Sequence, residues 1–240
     1  TFAGTFNGNG NKITLAIGEP YGKRGDNTIE STSDTFDGNG KLYRHGRLGL
    51  FSAIGGGATV NNLTVDGAMK FDNGLGVDAG SLAATITGNA TLGGVTCNPA
   101  ISCDDTFGND ANIGGIAGSV TGAAEVAFEG NTKAQVTINT GAALNGNTRI
   151  GGAVGYVADV AAIVNVASLE VGGTITVNDS ASNKIAQIGG LIGCIAQSTY
   201  TEGKIASSAE KNVSITGLSF NSFSMTVGKS GDKLNGVGGL

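Results

Sequence analysis

The sequence predicts an all-β chain, a parallel β-helix (solenoid) of about six coils with three strands in each. Three observations carry that reading. An eight-residue segment, IGGIAGSV at Ile113–Val120, returns as IGGAVGYV at Ile150–Val157 and IGGLIGCI at Ile188–Ile195, then starts again as VGGL at Val237–Leu240. Looser copies lie upstream, AGSLAATI at Ala79–Ile86 and RLGLFSAI at Arg47–Ile54. The starts at 47, 79, 113, 150, 188 and 237 are therefore 32, 34, 37, 38 and 49 residues apart. The third observation is glycine, 43 of 240 residues, more than twice the ~7 % of ordinary chains.

The eight positions are constrained unevenly. The fourth is always apolar (Leu50, Leu82, Ile116, Ala153, Leu191), and so is the eighth (Ile54, Ile86, Val120, Val157, Ile195). Residues four apart share a face in a strand, but they do so on a helix as well. Glycine decides between the two. Paired glycines occupy positions two and three of the three complete IGG copies, and the sixth position is always small (Ser52, Ala84, Gly118, Gly155, Gly193). Each glycine costs a helix about 1 kcal/mol relative to alanine. The segment is therefore expected to be a strand, with its fourth and eighth residues in two inward ladders. The seventh position (Ala53, Thr85, Ser119, Tyr156, Cys194) varies freely and is expected to face solvent. Strands recurring without intervening helix stack about 4.8 Å apart, so each coil buries its inward residues on the next.

Taken in order, the chain first shows TFNGNGNKI at Thr5–Ile13, matched by TFDGNGKLY at Thr35–Tyr43. Asn-Gly and Asp-Gly favour positive φ and tight turns, so each copy reads as strand end, turn and new strand. The polar Gly18–Ser33 between them reads as a protruding loop. Asp37-Gly-Asn39-Gly resembles the start of a calcium loop but lacks its distant bidentate Glu, so it is read as a turn. VTCNPAISCDD, with Pro99, reads as a loop, and Thr96–Asn112 and Ala196–Lys211 as segments free to vary. EVAFEG (Glu125–Gly130), AQVTINT (Ala134–Thr140), AIVNVASLEV (Ala162–Val171) and TITVND (Thr174–Asp179) read as strands on their β-branched content, and NVSITGLSFNSFSMTV (Asn212–Val227) on its alternation of apolar and polar residues.

TFDGNG, then GLFSAIGGGATVNNLTVDG from Gly49, then the repeated IGGIAG-type segments resemble the GLUG-type repeats of large bacterial surface proteins. The resemblance covers Thr1–Leu240. It implies a right-handed, pectate-lyase-like β-helix and a place on the cell surface, and it says little about chemistry. Ala79–Ile86 departs from the pattern by lacking paired glycines, and the 49-residue last step is oversized. The expectation is one β-helix domain over residues 1–240, a slice of a longer repetitive chain.

Composition narrows the function classes. Apolar residues make up 40 % and charged residues 14 %, which argues against disorder. The net charge of −5 and the lack of a Lys/Arg cluster argue against nucleic acid and anionic membrane as partners. No apolar run approaches the ~18 residues of a membrane span, so no membrane insertion is expected. Cys97 and Cys103 have five residues between them, a spacing that permits a local disulfide, the alternative being two unpaired thiols. Neither a metal site nor a cofactor is expected, because two cysteines without a nearby His or third Cys do not make a zinc site. Cys194 is expected to be accessible.

Other candidates weigh less. His45, the sole histidine, has no recognisable acid/base partner. Asp104, Asp105 and Asp110 read as a solvated acidic loop rather than a carboxylate pair across a cleft. The sequons at Asn62, Asn89, Asn178 and Asn212 are as many as chance supplies. Trp is absent and Tyr156 is the one tyrosine placed outward on a strand, which weakens sugar binding. The expected role is a non-catalytic extracellular or cell-surface display scaffold, an adhesin stalk. A self-associating filament or surface-layer subunit is the alternative, and a polysaccharide-active enzyme is third. The expected partners are a host or neighbouring-cell surface protein or glycan, or copies of the chain itself.

Overall fold

Short strands joined by tight corners follow directly from glycine-rich segments that alternate with β-branched ones. The structure, a computed structural model, describes residues 1–17, 35–36, 42–43, 45–71, 76–103, 111–140, 148–159, 162–179, 186–196, 200–201, 204–205, 213–229 and 236–238. Two strands come first, β1 (Thr5–Asn7) and β2 (Lys12–Ile17), then an antiparallel pair, β3 (Thr35–Phe36) and β4 (Leu42–Tyr43). The first complete coil holds β5 (His45–Leu48), β6 (Phe51–Ile54), β7 (Ala58–Asn61) and β8 (Thr64–Phe71). The second holds β9 (Gly76–Gly80), β10 (Ala83–Ile86), β11 (Ala90–Gly93) and β12 (Thr96–Cys103). The third holds β13 (Ala111–Gly114), β14 (Ala117–Val120), β15 (Glu125–Glu129) and β16 (Thr132–Thr140). The fourth holds β17 (Thr148–Gly151), β18 (Val154–Val157), β19 (Ile163–Val166) and β20 (Leu169–Asp179). In the fifth, β21 (Ala186–Gly189) and β22 (Ile192–Ile195) are followed by an antiparallel pair, β23 (Tyr200–Thr201) and β24 (Lys204–Ile205). That coil ends with β25 (Val213–Ile215) and β26 (Leu218–Lys229), and β27 (Gly236–Gly238) opens a sixth.

Stacked coils form four parallel sheets. The first is β5-β9-β13-β17-β21-β27 and the second β6-β10-β14-β18-β22; the third is β1-β7-β11-β15-β19-β25 and the fourth β2-β8-β12-β16-β20-β26. The chain is thus a parallel β-helix of about six coils, and no helix occurs among the described residues. Each coil carries four strands rather than the three expected, because the eight-residue motif is two strands and not one. In the third coil β13 stops at Gly114 and β14 starts at Ala117, with Gly115 and Ile116 at the corner. A Cβ on Gly115 would overlap the Val136 side chain and the Gly152 carbonyl, so glycine alone lets the chain turn this close to its neighbours. The β5 half of the first copy is also one residue out of step: Leu48, not Arg47, pairs with Ala79, whereas in β6 Ile54 still pairs with Ile86.

Both expected ladders are present. Ile54, Ile86, Val120, Val157 and Ile195 are successive register partners up the second sheet. The fourth-position residues stack at the corners, where Leu82 N donates to the Ile116 carbonyl (3.1 Å), Ile116 N to Ala153 (2.9 Å) and Ala153 N to Leu191 (3.0 Å). All four are buried, while Leu50 in the first coil is half-buried against the same core. Opposite them the fourth sheet contributes rungs such as Met69, Ile101, Ile138 and Ile175. The corner between the third and fourth sheets recurs with left-handed residues, Asn62 (φ 51°), Gly94 (φ 61°) and Asn131 (φ 61°), residue types that adopt this conformation at least cost.

Thr96–Cys103 is not a loop. It is β12, paired on both sides in the fourth sheet. Pro99 lies opposite Gly67 on β8, whose φ is 102°, and the register with β16 passes over Asn98 and Pro99. Proline lacks the N–H that a ladder needs, and the irregular ladder at this level tolerates it.

Candidate functional site

The first and second sheets approach so closely that their facing positions must be small. A Cβ on Gly155 of β18 would lie 2.5 Å from the Ile113 nitrogen of β13, and one on Gly193 of β22 the same distance from the Ile150 nitrogen of β17. With Gly118, whose Cβ would lie 2.4 Å from the Ala79 nitrogen, that explains the glycine at the sixth position of the three IGG copies. The seventh position is then no solvent face: Ala53, Thr85 and Ser119 are buried, and only Tyr156 and Cys194 are partly exposed.

Opposite the seventh positions runs a row that sequence reading missed. The residues just before the motif, Asp78, Asn112, Arg149 and Gln187, are successive register partners in the first sheet. They differ in charge and size, so no repeated letter betrays them. The available signal was that each copy after the first is preceded by a polar residue, until Gly236. Asn112 ties the row together. Its Nδ2 donates to Asp78 Oδ1 (2.8 Å), and its Oδ1 accepts from Arg149 Nη1 (3.1 Å). Thr85 Oγ1 donates to Asp78 Oδ2 (3.2 Å), and Ser119 Oγ donates to Thr85 Oγ1 (3.3 Å). The Arg149 guanidinium lies 4.1 Å from the Tyr156 ring centroid, a cation–π distance.

Cys194 ends this row. Burial raises its thiol pKa, opposed by the Arg149 charge and by side-chain hydrogen bonds with Arg149 and Gln187. The protonated thiol prevails at neutral pH, so Cys194 is no activated nucleophile. It lines a groove of about 440 Å³ at the outer edge of β22, together with Gln187, Gly193, Ile195, Val213 and Ile215.

The sequence-predicted residues lie elsewhere. Cys97 and Cys103 are both buried and not bridged to each other, towards the two ends of β12. Six residues of extended chain separate their α-carbons by roughly 20 Å, far beyond the ~7 Å limit for a bridge, so the local disulfide does not form. Extended backbone, not a loop, is the reason. Burial pushes the Cys97 thiol up to about 12, against a lowering hydrogen bond with Ser81. His45 lies in β5. Asp104, Asp105, Asp110, the Asp37–Gly40 turn, Gly18–Ser33 and Asn212 fall outside the described residues. Asn62 sits at a corner, Asn89 Oδ1 accepts from Glu125 N (3.0 Å), and Asn178 is in β20. Among the described residues no three His, Cys, Asp or Glu side chains cluster as a metal site. Comparison with protein-family models, curated proteins and solved structures gives no match to this chain.

Proposed function

We propose that the chain is a non-catalytic display scaffold at the cell surface, a stalk segment of an adhesin-like protein of the GLUG-repeat type. One observation carries the reading: the positions that recur in every coil are spent on stacking. The fourth and eighth residues form aliphatic ladders, and the polar row closes on itself through Asn112. Catalysis on a polymer needs an acid and a base converging on one open cleft, whereas Asp78 and Asn112 are buried and hydrogen-bonded to each other. Binding to a host or neighbouring-cell protein or glycan would fall to side loops, which leave the ladders undisturbed.

Two measurements test this. Incubation with pectin, alginate or another uronide polymer is expected to give no cleavage, and turnover abolished by changing Asp104 or Asp105 would sink the proposal. On intact source cells, a membrane-impermeant label is expected to reach the protein; labelling only after lysis would place it elsewhere. Assembly into a head-to-tail filament is the weaker reading. Phe2 already bridges the outer edge of β6, its N–H donating to the Ala53 carbonyl (2.7 Å) and its ring stacked on Phe51 at 4.9 Å.

A further inference from the structure

The fourth sheet turns one face outward along the side of the stack. Burial alternates along its strands, as in Lys12–Ile17 and Thr132–Thr140, so every second residue points away from the core. One outward column is small: Ala16, Ala68, Ala100, Thr137 and Thr174 are successive register partners, and all are exposed. The face is flat there. Beside that column lie two ion pairs, Lys12 Nζ–Asp66 Oδ2 (3.3 Å) and Lys133 Nζ–Glu170 Oε2 (3.4 Å). One joins β2 to β8 and the other β16 to β20, while β12 between them carries the neutral Thr96 and Asn98 at the same place. Read from β2 to β20, the charges run plus, minus, none, plus, minus. Their side chains keep 57, 36, 42 and 26 % of their surface exposed, in that order.

That order, reversed, is its own complement. We propose that two copies of the chain associate side by side through this face, about a two-fold axis parallel to the strands and centred on β12. Such an axis keeps strand direction and reverses coil order, so β2 faces β20 of the other copy and β8 faces β16. Lys12 then meets Glu170 at the same position along the strand. Asp66 meets Lys133 two residues off, the offset that Lys12 already spans to reach Asp66 within the chain. Lys70 faces the neutral Asn139. A shift of one coil sets Asp66 against Glu170 in one direction and Lys12 against Lys133 in the other. Like charges then oppose, so the pattern selects a single register. Five strands ~4.8 Å apart and about 25 Å long present roughly 600 Å². Two such faces bury about 1,200 Å², the lower end of standard interfaces. Because the pattern matches itself, the occupant is a second copy. This pairing uses the side of the stack, unlike end-to-end assembly, and does not depend on the cell-surface reading.

Exchanging one ion pair provides the test. Lys133→Glu combined with Glu170→Lys keeps the net charge and an ion pair within the chain, but changes the order to plus, minus, none, minus, plus. Both contacts across the axis then set like charge against like. Adding Lys12→Asp and Asp66→Lys makes the order self-complementary again. Sedimentation equilibrium at low ionic strength, where surface charges are least screened, is expected to show a monomer–dimer equilibrium for the parent chain, with a Kd on the order of 100 μM. The double exchange is expected to raise that Kd about tenfold or more with an unchanged urea midpoint, and the four-residue exchange to bring it back. Ala100→Arg, at an exposed position on the axis strand, leaves both ion pairs alone and is expected to weaken the dimer as well. A parent that stays monomeric, a dimer unmoved by the double exchange or by Ala100→Arg, or a four-residue variant that does not recover overturns the proposal. Association that grows past dimers and ignores the exchange assigns self-contact to the ends of the stack, and overturns it too.

Discussion

Asn112 shows how much one side chain can hold in a thin fold. Its amide donates to the Asp78 carboxylate and accepts from the Arg149 guanidinium, with the residue 7 % exposed. Hydrogen bonds to charged partners contribute about 1.5–3 kcal/mol each. Asn112→Ala is expected to lower unfolding stability by about 3 kcal/mol, read from the urea midpoint; a variant as stable as the parent would show that the row is incidental. Cys97 makes a pH prediction. Its pKa is raised from 9.0 to about 12 by burial, so the folded state disfavours the thiolate. The neutral thiol's stability contribution is complete below the unfolded value and is lost as pH rises through the folded value. Stability is expected to fall between pH 9 and 12, with a slope of up to ~1.4 kcal/mol per pH unit from this group. Cys97→Ala should flatten that slope while leaving a constant cavity cost. Unchanged slopes in parent and variant would refute the assignment.

At the scale of the strand pair, spacing between sheets is set by what glycine omits. Gly155 lies where a Cβ would come 2.5 Å from the Ile113 nitrogen and 2.6 Å from the Gly118 carbonyl. Gly122 has nothing closer than 3.8 Å and is glycine only because its φ is +72°. Gly122→Ala should therefore cost about 1–2 kcal/mol, the penalty of a left-handed alanine. Gly155→Ala must push two sheets apart and is expected to cost on the order of 4 kcal/mol or more. Similar losses in the two variants, measured by thermal melting, would mean that the sheets are free to separate. The same glycines explain what could be read in advance. Aliphatic residues at the fourth and eighth positions recur, so both ladders were legible. The corner at Gly115–Ile116 was not, since paired glycines exclude helix without saying whether one strand or two replace it. Thr96–Cys103 looked like a loop because Pro99 was weighed without Gly67, its register partner a coil away. Asp78, Asn112, Arg149 and Gln187 share a place but no chemistry, and repeats are found by chemistry.

Over the whole stack, each coil touches only the coils beside it, so stability should vary with position along the axis rather than with residue type. The eighth-position ladder tests this with one chemical change at two heights. Ile86 is fully buried between Ile54 and Val120, its partners on either side. Ile195 has Val157 on one side, an open groove on the other and 36 % exposure. Removing buried methylene groups costs the lost transfer energy plus the cavity left behind, and a half-open site leaves no closed cavity. Ile86→Ala is expected to cost about 2–5 kcal/mol, in the range for fully buried isoleucine, and Ile195→Ala about 1 kcal/mol. Denaturant melts of both variants decide it. Equal losses would mean that Ile195 is as enclosed as Ile86. The expected gradient instead follows burial, steep at Ile86 and shallow at Ile195.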